Sequence, residues 1–165
     1  EKHDSLPKDI NWHMIGHLQR NKVKYIASFV NLIHSVDSFR LLFEINKQGF
    51  KNNRVIDILV QIDISNDNTK FGFTYSEFDE LIKLNKLKDL KNIKLKGMMG
   101  MASYSSDLRI IKREFNDLNK YFNKYKFNLK LDVLSMGMSS DYEIAIKCNS
   151  NMIRLGSTIF GTRIK

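Results

Sequence analysis

The feature that most constrains this chain is the alternation of short apolar runs with segments of helical periodicity. One of the longest runs, residues 56–64, is apolar at six of its nine positions, which is typical of a parallel strand covered on both faces. Further runs rich in Val, Ile, Leu and Met predict strands at 12–16, 32–36, 93–101, 131–138 and 152–156. Six strands alternating with helices favour a mostly parallel sheet.

Helical patterns occupy the gaps between these runs. Short helices are predicted at 21–29, 38–47 and 141–147. A further helix follows the capping-box signature of Thr74 and Glu77. The longest helix, capped by Ser106 or Asp107, has apolar residues three or four positions apart: Leu108, Ile111, Phe115, Leu118 and Phe122. Residues 1–11 are polar and predict a loop.

The glycines indicate which end of the sheet is functional. Turns at strand ends form the face on which α/β proteins bind ligands, and six of the eight glycines lie at or near predicted strand ends: Gly16, Gly97, Gly100, Gly137, Gly156 and Gly161. No Gly-x-Gly-x-x-Gly or Walker-type loop follows a strand. We therefore predict a (β/α)8 barrel of the TIM type rather than a doubly wound sheet. Because a barrel needs eight strands, we expect strands three to eight here, with the first two β/α units absent from this chain.

Length and composition favour one domain over 1–165. The chain has 165 residues, with no Pro/Gly/Ser linker and no internal repeat. The single cysteine, Cys148, excludes an internal disulfide and a cysteine-based zinc site. No apolar run reaches bilayer-spanning length, and no secretory leader opens the sequence. We therefore expect a cytoplasmic protein with no membrane contact, and the lack of an evident dimer stripe favours a monomer.

The net charge of +9 raises the question of an anionic partner. The excess is mostly lysine, scattered among many Asn and Ile residues, with no arginine-rich run. This pattern indicates compositional bias rather than a binding stripe, so no nucleic-acid partner is expected. A nucleic-acid or anion-binding module remains an alternative, which steep salt dependence of binding would support.

Two consecutive strand ends carry residue types that suit a phosphate. Ser135 lies in the second half of the fifth predicted strand, and Ser139 follows that strand just before a helix, where backbone N–H groups and hydroxyls bind anions. Plain N-capping is the alternative. In the sixth strand, Arg154 is followed by Gly156 and Ser157. An inward-facing arginine needs a partner, and a structural ion pair is the alternative. Together, the adjacent loops favour a phosphate site.

Other chemistry-bearing residues are weaker candidates. His13 and His17 have the spacing of a helical metal pair, but Gly16 breaks the helix and no third ligand is near, so no metal site is predicted. Cys148 has no neighbouring histidine in sequence, and no Gly-x-Ser-x-Gly elbow occurs. Core packing accounts better than a cofactor pocket for the methionines at 98–101.

Seven segments form a recognisable pattern when they are taken in order. They are Trp-His-Met-Ile-Gly-His-Leu-Gln-Arg-Asn-Lys at 12–22, His-Ser-Val-Asp at 34–37, Val-Gln-Ile-Asp-Ile-Ser at 60–65, Lys-Phe-Gly-Phe at 70–73, Gly-Met-Met at 97–99, Leu-Ser-Met-Gly-Met-Ser at 134–139, and Ile-Arg-Leu-Gly-Ser at 153–157 with Ile-Phe-Gly at 159–161. In this order they resemble the pyridoxal-phosphate homeostasis proteins, also called the proline-synthetase co-transcribed family.

The resemblance implies a barrel similar to the N-terminal domain of alanine racemase. It implies a non-catalytic protein that binds pyridoxal 5'-phosphate in vitamin B6 and amino-acid homeostasis, with enzymes that depend on this cofactor as possible recipients. It also implies that Ser139, Gly156 and Ser157 hold the phosphate, with Ser135 nearby, and that Arg154 faces the pyridine nitrogen. A cation there keeps the nitrogen unprotonated and weakens the ring as an electron sink.

The sequence departs from the family in two places. The family usually has Gly-Ser-Thr before the arginine strand, where this chain has Asn-Ser-Asn at 149–151; asparagine tolerates a left-handed backbone. The family's first strand carries the Schiff-base lysine in a Val-Ser-Lys context, and its second carries Gly-Glu-Asn; neither occurs here. No catalytic residue is therefore assigned. Lys22 and Lys70 lie in predicted turns, and nothing places either at the cofactor aldehyde.

These departures lead to two further expectations and two alternatives. Without the lysine we expect weak, non-covalent cofactor binding, and two exposed sheet edges predict poor solubility. The first alternative is a fold-type III enzyme such as an amino-acid racemase, which needs an acid/base from a second domain for which 165 residues leave no room. The second alternative is a non-functional fragment.

Overall fold

The computed structural model describes residues 2–65 and 71–161. Its strands are β1 (His13–Met14), β2 (Leu32–Val36), β3 (Ile56–Ile62), β4 (Ile93–Gly100), β5 (Val133–Met138) and β6 (Met152–Arg154). Its helices are α1 (Lys2–Ser5), a 3₁₀ helix (Arg20–Tyr25), α2 (Phe39–Lys51), α3 (Tyr75–Lys83), α4 (Leu108–Lys126), α5 (Tyr142–Lys147) and α6 (Ser157–Phe160).

The described strands form one sheet in chain order. Each strand from β1 to β6 pairs in parallel with the next strand along the chain. Helices connect most of these strands, and this repeated β/α arrangement is that of a β/α barrel. The predicted fold class is therefore confirmed, and the described strands match the six predicted from the apolar runs. No helix in the described ranges combines the length and the apolar character needed to cross a membrane.

Several element ends differ from the sequence prediction. β1 has two residues rather than five, and a 3₁₀ helix replaces the first half of the helix predicted at 21–29. β3 ends at Ile62 because the chain returns at Phe73, which accepts a hydrogen bond from the Asp63 N–H at 2.9 Å. The polar opening segment was predicted as a loop, but it contains a single helical turn, closed by a bond from the Leu6 N–H to the Lys2 carbonyl at 3.1 Å.

The helix caps explain where the longer helices begin. The Thr74 hydroxyl accepts from the Glu77 N–H, and the Glu77 carboxylate accepts from the Thr74 N–H, so the predicted capping box is confirmed. Asp107 caps α4 by accepting from the Arg109 N–H at 2.9 Å. The predicted stripe on α4 is buried from Ile111 onward, whereas Leu108 is exposed at the start of the helix.

The two faces of the sheet bury different sets of residues. The larger core lies between the sheet and its helices and includes Ile33, Ile58, Val60, Met98, Leu134 and Met136. A smaller apolar cluster lies on the opposite face and contains Leu32, Leu59 and Met99. Side chains alternate between faces along a strand, so this second face is the inward face of the curved sheet.

Candidate functional site

In each of four strands, a polar residue lies two positions after a residue that belongs to the inward apolar cluster or packs against it. Leu32 is followed by His34, Leu59 by Gln61, Val133 by Ser135 and Met152 by Arg154. Residues two apart share a face of a strand, so these polar groups lie on the inward face, closer to the carboxyl ends. All four are buried. The site therefore lies at the end of the sheet that the glycine positions predicted.

A contact between β2 and β5 shows how strongly the sheet curves. The His34 Nδ1 atom lies 3.1 Å from the Ser135 Oγ atom. Neighbouring strands are about 4.8 Å apart, so a flat sheet would separate strands three positions apart by about 14 Å. Only a closely curved sheet brings these side chains together, and the curvature gathers residues from opposite strands into one site.

Arg154 is a buried cation whose hydrogen-bond partners in the described ranges are all neutral oxygens. It is 7% exposed. One terminal nitrogen donates to the Ser135 carbonyl at 3.0 Å and to the Ser135 hydroxyl at 2.8 Å; the other donates to the Gly100 carbonyl at 3.1 Å. Burial lowers the pKa of Arg154 to about 10, partly offset by the charge of Asp141. No carboxylate within 2–65 and 71–161 forms an ion pair with it, so the ion-pair alternative has no support there.

Two histidines extend this cluster toward solvent. His34 is 1% exposed, and its Nε2 atom lies 3.1 Å from the Nδ1 atom of the exposed His13. Burial, and then the nearby charges of His13 and Arg154, lower the pKa of His34 to about 3. Burial also lowers the pKa of His13. Both imidazoles are therefore neutral near pH 7, and the Arg154 guanidinium carries the positive charge of the cluster.

The loops after β5 and β6 meet at one oxygen atom. The Ser139 Oγ atom accepts from the Gly156 N–H at 3.1 Å and from the Thr158 N–H at 3.4 Å. A Cβ atom added to Gly156 would meet nothing within 4 Å, so open space lies beside these donors. Ser157 begins α6 and is exposed. Converging backbone N–H groups beside a hydroxyl and open space fit a phosphate.

The turn before β6 ties the two loop-bearing strands together. Asn149 has φ 66°, the left-handed conformation that its sequence position suggested. The Ser150 hydroxyl lies 2.8 Å from the Met136 carbonyl and 3.0 Å from the Met152 carbonyl. The Asn151 side chain accepts from the Leu134 N–H at 2.7 Å and donates to the Asp132 carbonyl at 2.7 Å. The Asn-Ser-Asn sequence at 149–151, which differs from that of the family, therefore still forms an ordered turn.

The other candidate residues lie apart from this site. His17 contacts Asp37 at 3.0 Å and stacks on Phe71, while His13 contacts His34, so the two histidines have separate partners. Within the described ranges no three potential ligand residues gather at a point that could hold a metal ion. Cys148 is buried at the end of α5. Lys22 is exposed beside Tyr25, and Lys70 lies outside the described residues.

Sequence reasoning did not assign His34 or Gln61 to the site. Each residue was named only within a segment that resembles the family, His34 in 34–37 and Gln61 in 60–65. The available signal was a polar residue two positions after an inward apolar residue, repeated in four strands. That signal becomes visible only when it is known which face of each strand points inward.

Parallel strands in chain order, with polar side chains gathered at their carboxyl ends, define a β/α-barrel ligand-binding protein. Comparison with known proteins gives the family. Residues 7–164 match the model of the alanine racemase N-terminal domain. The chain is 38% identical to the pyridoxal phosphate homeostasis protein of Aquifex aeolicus over 99% of its own length, and 33% identical to that of Escherichia coli over 93%. The chain belongs to the pyridoxal phosphate homeostasis protein family.

Solved structures agree with this assignment. PipY of Synechococcus elongatus, solved with pyridoxal phosphate bound, superposes with a TM-score of 0.83 at 26% identity over 97% of this chain. An alanine racemase of Clostridium difficile superposes at 0.70 with 17% identity over 95% of the chain, which shows a shared fold. The chain spans 72% of the Aquifex protein, 65% of the E. coli protein, 74% of the PipY chain and 41% of the racemase chain.

Proposed function

We propose that this chain binds pyridoxal 5'-phosphate and serves its homeostasis without turning over a substrate. One observation carries the proposal: a buried arginine, whose partners in the described ranges are neutral oxygens, ends the strand that leads into a loop whose backbone N–H groups converge on Ser139. A dianionic phosphate joined to a ring with a basic nitrogen complements both parts. Relatives named for the homeostasis of this cofactor, and PipY solved with it bound, support the same function.

The phosphate would be held by the Ser139 hydroxyl and the backbone of Gly156 and Ser157. Open space beside Gly156 would admit the group without displacing a side chain, and Ser135 would lie nearby through its contact with Arg154. Arg154 would face the pyridine nitrogen. Because the guanidinium can only donate hydrogen bonds, it would leave that nitrogen unprotonated. The bound cofactor would supply an aldehyde and a ring that is a weak electron sink.

Two features of the inward face support the proposed absence of turnover. Both ring nitrogens of the buried His34 are engaged in hydrogen bonds, with Ser135 and His13, and an arginine at the ring position would weaken the electron withdrawal on which many cofactor-dependent enzymes rely. We further propose that 1–165 forms one cofactor-binding domain, that it is monomeric and that it acts in the cytoplasm. A racemase-like enzyme on the same fold is the second candidate, which the structural likeness to alanine racemase favours.

Titration of the purified chain with pyridoxal 5'-phosphate, followed by absorbance and calorimetry, tests the binding function. We expect saturable binding that Ser139→Ala and Arg154→Met each weaken about tenfold, which corresponds to about 1.4 kcal/mol. The controls are Ser106→Ala and Arg40→Met, which change the same residue types at exposed positions on other loops and helices. Pyridoxal without its phosphate should bind much more weakly. Absence of saturable binding, or equal affinity in all variants, would contradict the proposal.

Two further measurements separate a binding protein from an enzyme. Borohydride reduction and mass analysis of the loaded chain should show no lysine adduct, because the Val-Ser-Lys context that carries the family's Schiff-base lysine does not occur in this sequence. An adduct would identify a surrogate lysine and refute the expectation of non-covalent binding. Deuterium exchange at the α-carbon of L- and D-alanine should equal the rate with free cofactor; a faster rate would favour the racemase-like alternative.

A further inference from the structure

We propose that Ser135, His34 and His13 form a one-directional hydrogen-bond chain that positions the Arg154 guanidinium, and that protonation of His13 breaks this chain and weakens cofactor binding. The cofactor half of this inference rests on the proposed function. The hydrogen-bond chain itself rests on contacts between β6, β5, β2 and β1.

The direction of the chain follows from the arginine. A guanidinium only donates, so the Ser135 Oγ atom accepts from Arg154 at 2.8 Å. The Ser135 hydroxyl hydrogen then needs its own acceptor, and within the described ranges that acceptor is His34 Nδ1 at 3.1 Å. A bare Nδ1 places the His34 proton on Nε2, which donates to His13 Nδ1 at 3.1 Å. His13 therefore carries its proton on Nε2.

The reverse direction is disfavoured on two grounds. If His13 donated to His34, and His34 donated to Ser135, the hydroxyl hydrogen of the fully buried Ser135 would have no acceptor in the described structure. The N–H groups would also point their positive ends toward the charge on Arg154. In the forward direction every donor points away from that charge, and the bonds polarise one another favourably.

Protonation of His13 would remove the final acceptor of the chain. With hydrogen on both ring nitrogens, His13 would present a donor to the Nε2–H of His34. His34 would not take the proton instead, because it is buried near Arg154. Within the described ranges, His34 from β2 and Arg154 beyond it on β6 lie on one side of His13. On the other side, Lys2, His3 and Asp4 from α1 and Tyr25 from the 3₁₀ helix line a cavity of about 550 Å³ with His13.

Nitrogen-15 spectra of the histidine side chains test the hydrogen-bond chain in the absence of the cofactor. We expect His13 and His34 to be Nε2–H tautomers in the unmodified protein near pH 7. Ser135→Ala removes the hydroxyl donor and should allow His34 to populate both tautomers, whereas Ser135→Thr retains a hydroxyl and should preserve the single tautomer. His3 and His17 provide internal references. An Nδ1–H tautomer of His34, or an unchanged His34 tautomer in Ser135→Ala, would refute the proposed hydrogen-bond chain.

Affinity for pyridoxal 5'-phosphate between pH 7.5 and 4.5 tests the consequence; the range extends into acid because burial lowers the pKa of His13 below its ordinary value. The phosphate titrates in this range in every sample, so the comparison is with His13→Asn, whose amide oxygen can accept from His34 but does not titrate. We expect the affinity of the unmodified chain to fall at least threefold more than that of His13→Asn across this range. Parallel pH profiles would overturn the coupling while the proposed function stands. Absence of binding would refute both the coupling and the proposed function. The histidine tautomers would still test the hydrogen-bond chain independently.

Discussion

Gly97 of β4 lies directly against the backbone of Val133 in β5. The two residues are register partners, and a Cβ atom on Gly97 would come 1.7 Å from the Val133 carbonyl oxygen. Two residues further along, the same register places Met99 beside Ser135. The close approach at Gly97 therefore helps to set the position of Ser135, on which Arg154 and His34 both depend.

Gly97→Ala should destabilise the fold strongly. The added methyl group would meet backbone atoms rather than a flexible side chain, so the two strands must separate at that point. We expect a loss of about 3 kcal/mol in the free energy of unfolding, measured by urea denaturation. Gly16→Ala is the matched control, because a Cβ there meets nothing within 4 Å. Equal stability of the two variants would show that β4 and β5 adjust without cost.

The Ser150 hydroxyl links β5 to the start of β6, the two strands that lead to the site. It lies closest to the Met136 carbonyl and within bonding distance of the Leu134 and Met152 carbonyls, and it accepts from the Met136 N–H. Ser150→Ala leaves these partly buried groups short of one partner, so we expect a loss of about 1.5 kcal/mol by thermal and urea denaturation. Ser106→Ala, at an exposed position, should change stability by less than about 0.5 kcal/mol.

The conformation of Asn149 predicts different effects on stability for two substitutions. Asn149 has φ 66°, where a side chain with a Cβ and no local hydrogen bonding is strained. Asn149→Ala should lower the free energy of unfolding by about 1 kcal/mol, whereas Asn149→Gly should leave it unchanged or raise it. Asn128→Ala, outside the left-handed region, serves as the control. If alanine and glycine had equal effects at 149, strain would not be the reason for asparagine there.

The local parts of this fold were predictable from sequence, and the reason is visible in particular elements. β2 has the predicted bounds, 32–36, because apolar residues stand at both of its ends and the polar residues Asn31 and Asp37 flank it. Thr74 caps α3 because a capping box depends on residues three positions apart. Strand ends near the site were less predictable, since β6 ends at Arg154 where the Gly156 N–H bonds to Ser139 instead of to a neighbouring strand.

The inward cluster was only partly predictable because it joins residues distant in sequence. His34 and Ser135 are 101 positions apart, and their contact depends on how far the sheet curves across β3 and β4. Register shifts between β2 and β3 and between β5 and β6 also affect which residues lie level with each other. Arg154 was identified as inward-facing because a charge within an apolar strand is conspicuous. A histidine or glutamine in the same position is not.

Asp79 joins α3 to α4 on the outside of the sheet, away from the proposed cofactor site. Its carboxylate accepts from the hydroxyls of Tyr121 and Tyr125, both at 2.5 Å, and from the Lys124 ammonium at 2.9 Å. Partial burial opposes ionisation, but these hydrogen bonds outweigh it and lower the pKa of Asp79 to about 2. An unfolded aspartate has a pKa near 3.9, so the folded state favours the ionised form more than the unfolded state does.

Asp79→Asn should therefore reduce stability in a pH-dependent way. Because the folded pKa is the lower one, the contribution is complete well above pH 4 and is lost as the pH falls toward about 2. The Asp79 side chain is 42% exposed, so solvent screening limits the effect to about 1 kcal/mol at pH 6. Urea denaturation of the original chain and the variant should give curves that converge as the pH falls from 6 to 3. The control is Asp117→Asn, which alters an exposed pair with Lys120 on α4 and should have a smaller effect. A gap that widens in acid would show that the two tyrosine hydroxyls do not favour the ionised carboxylate.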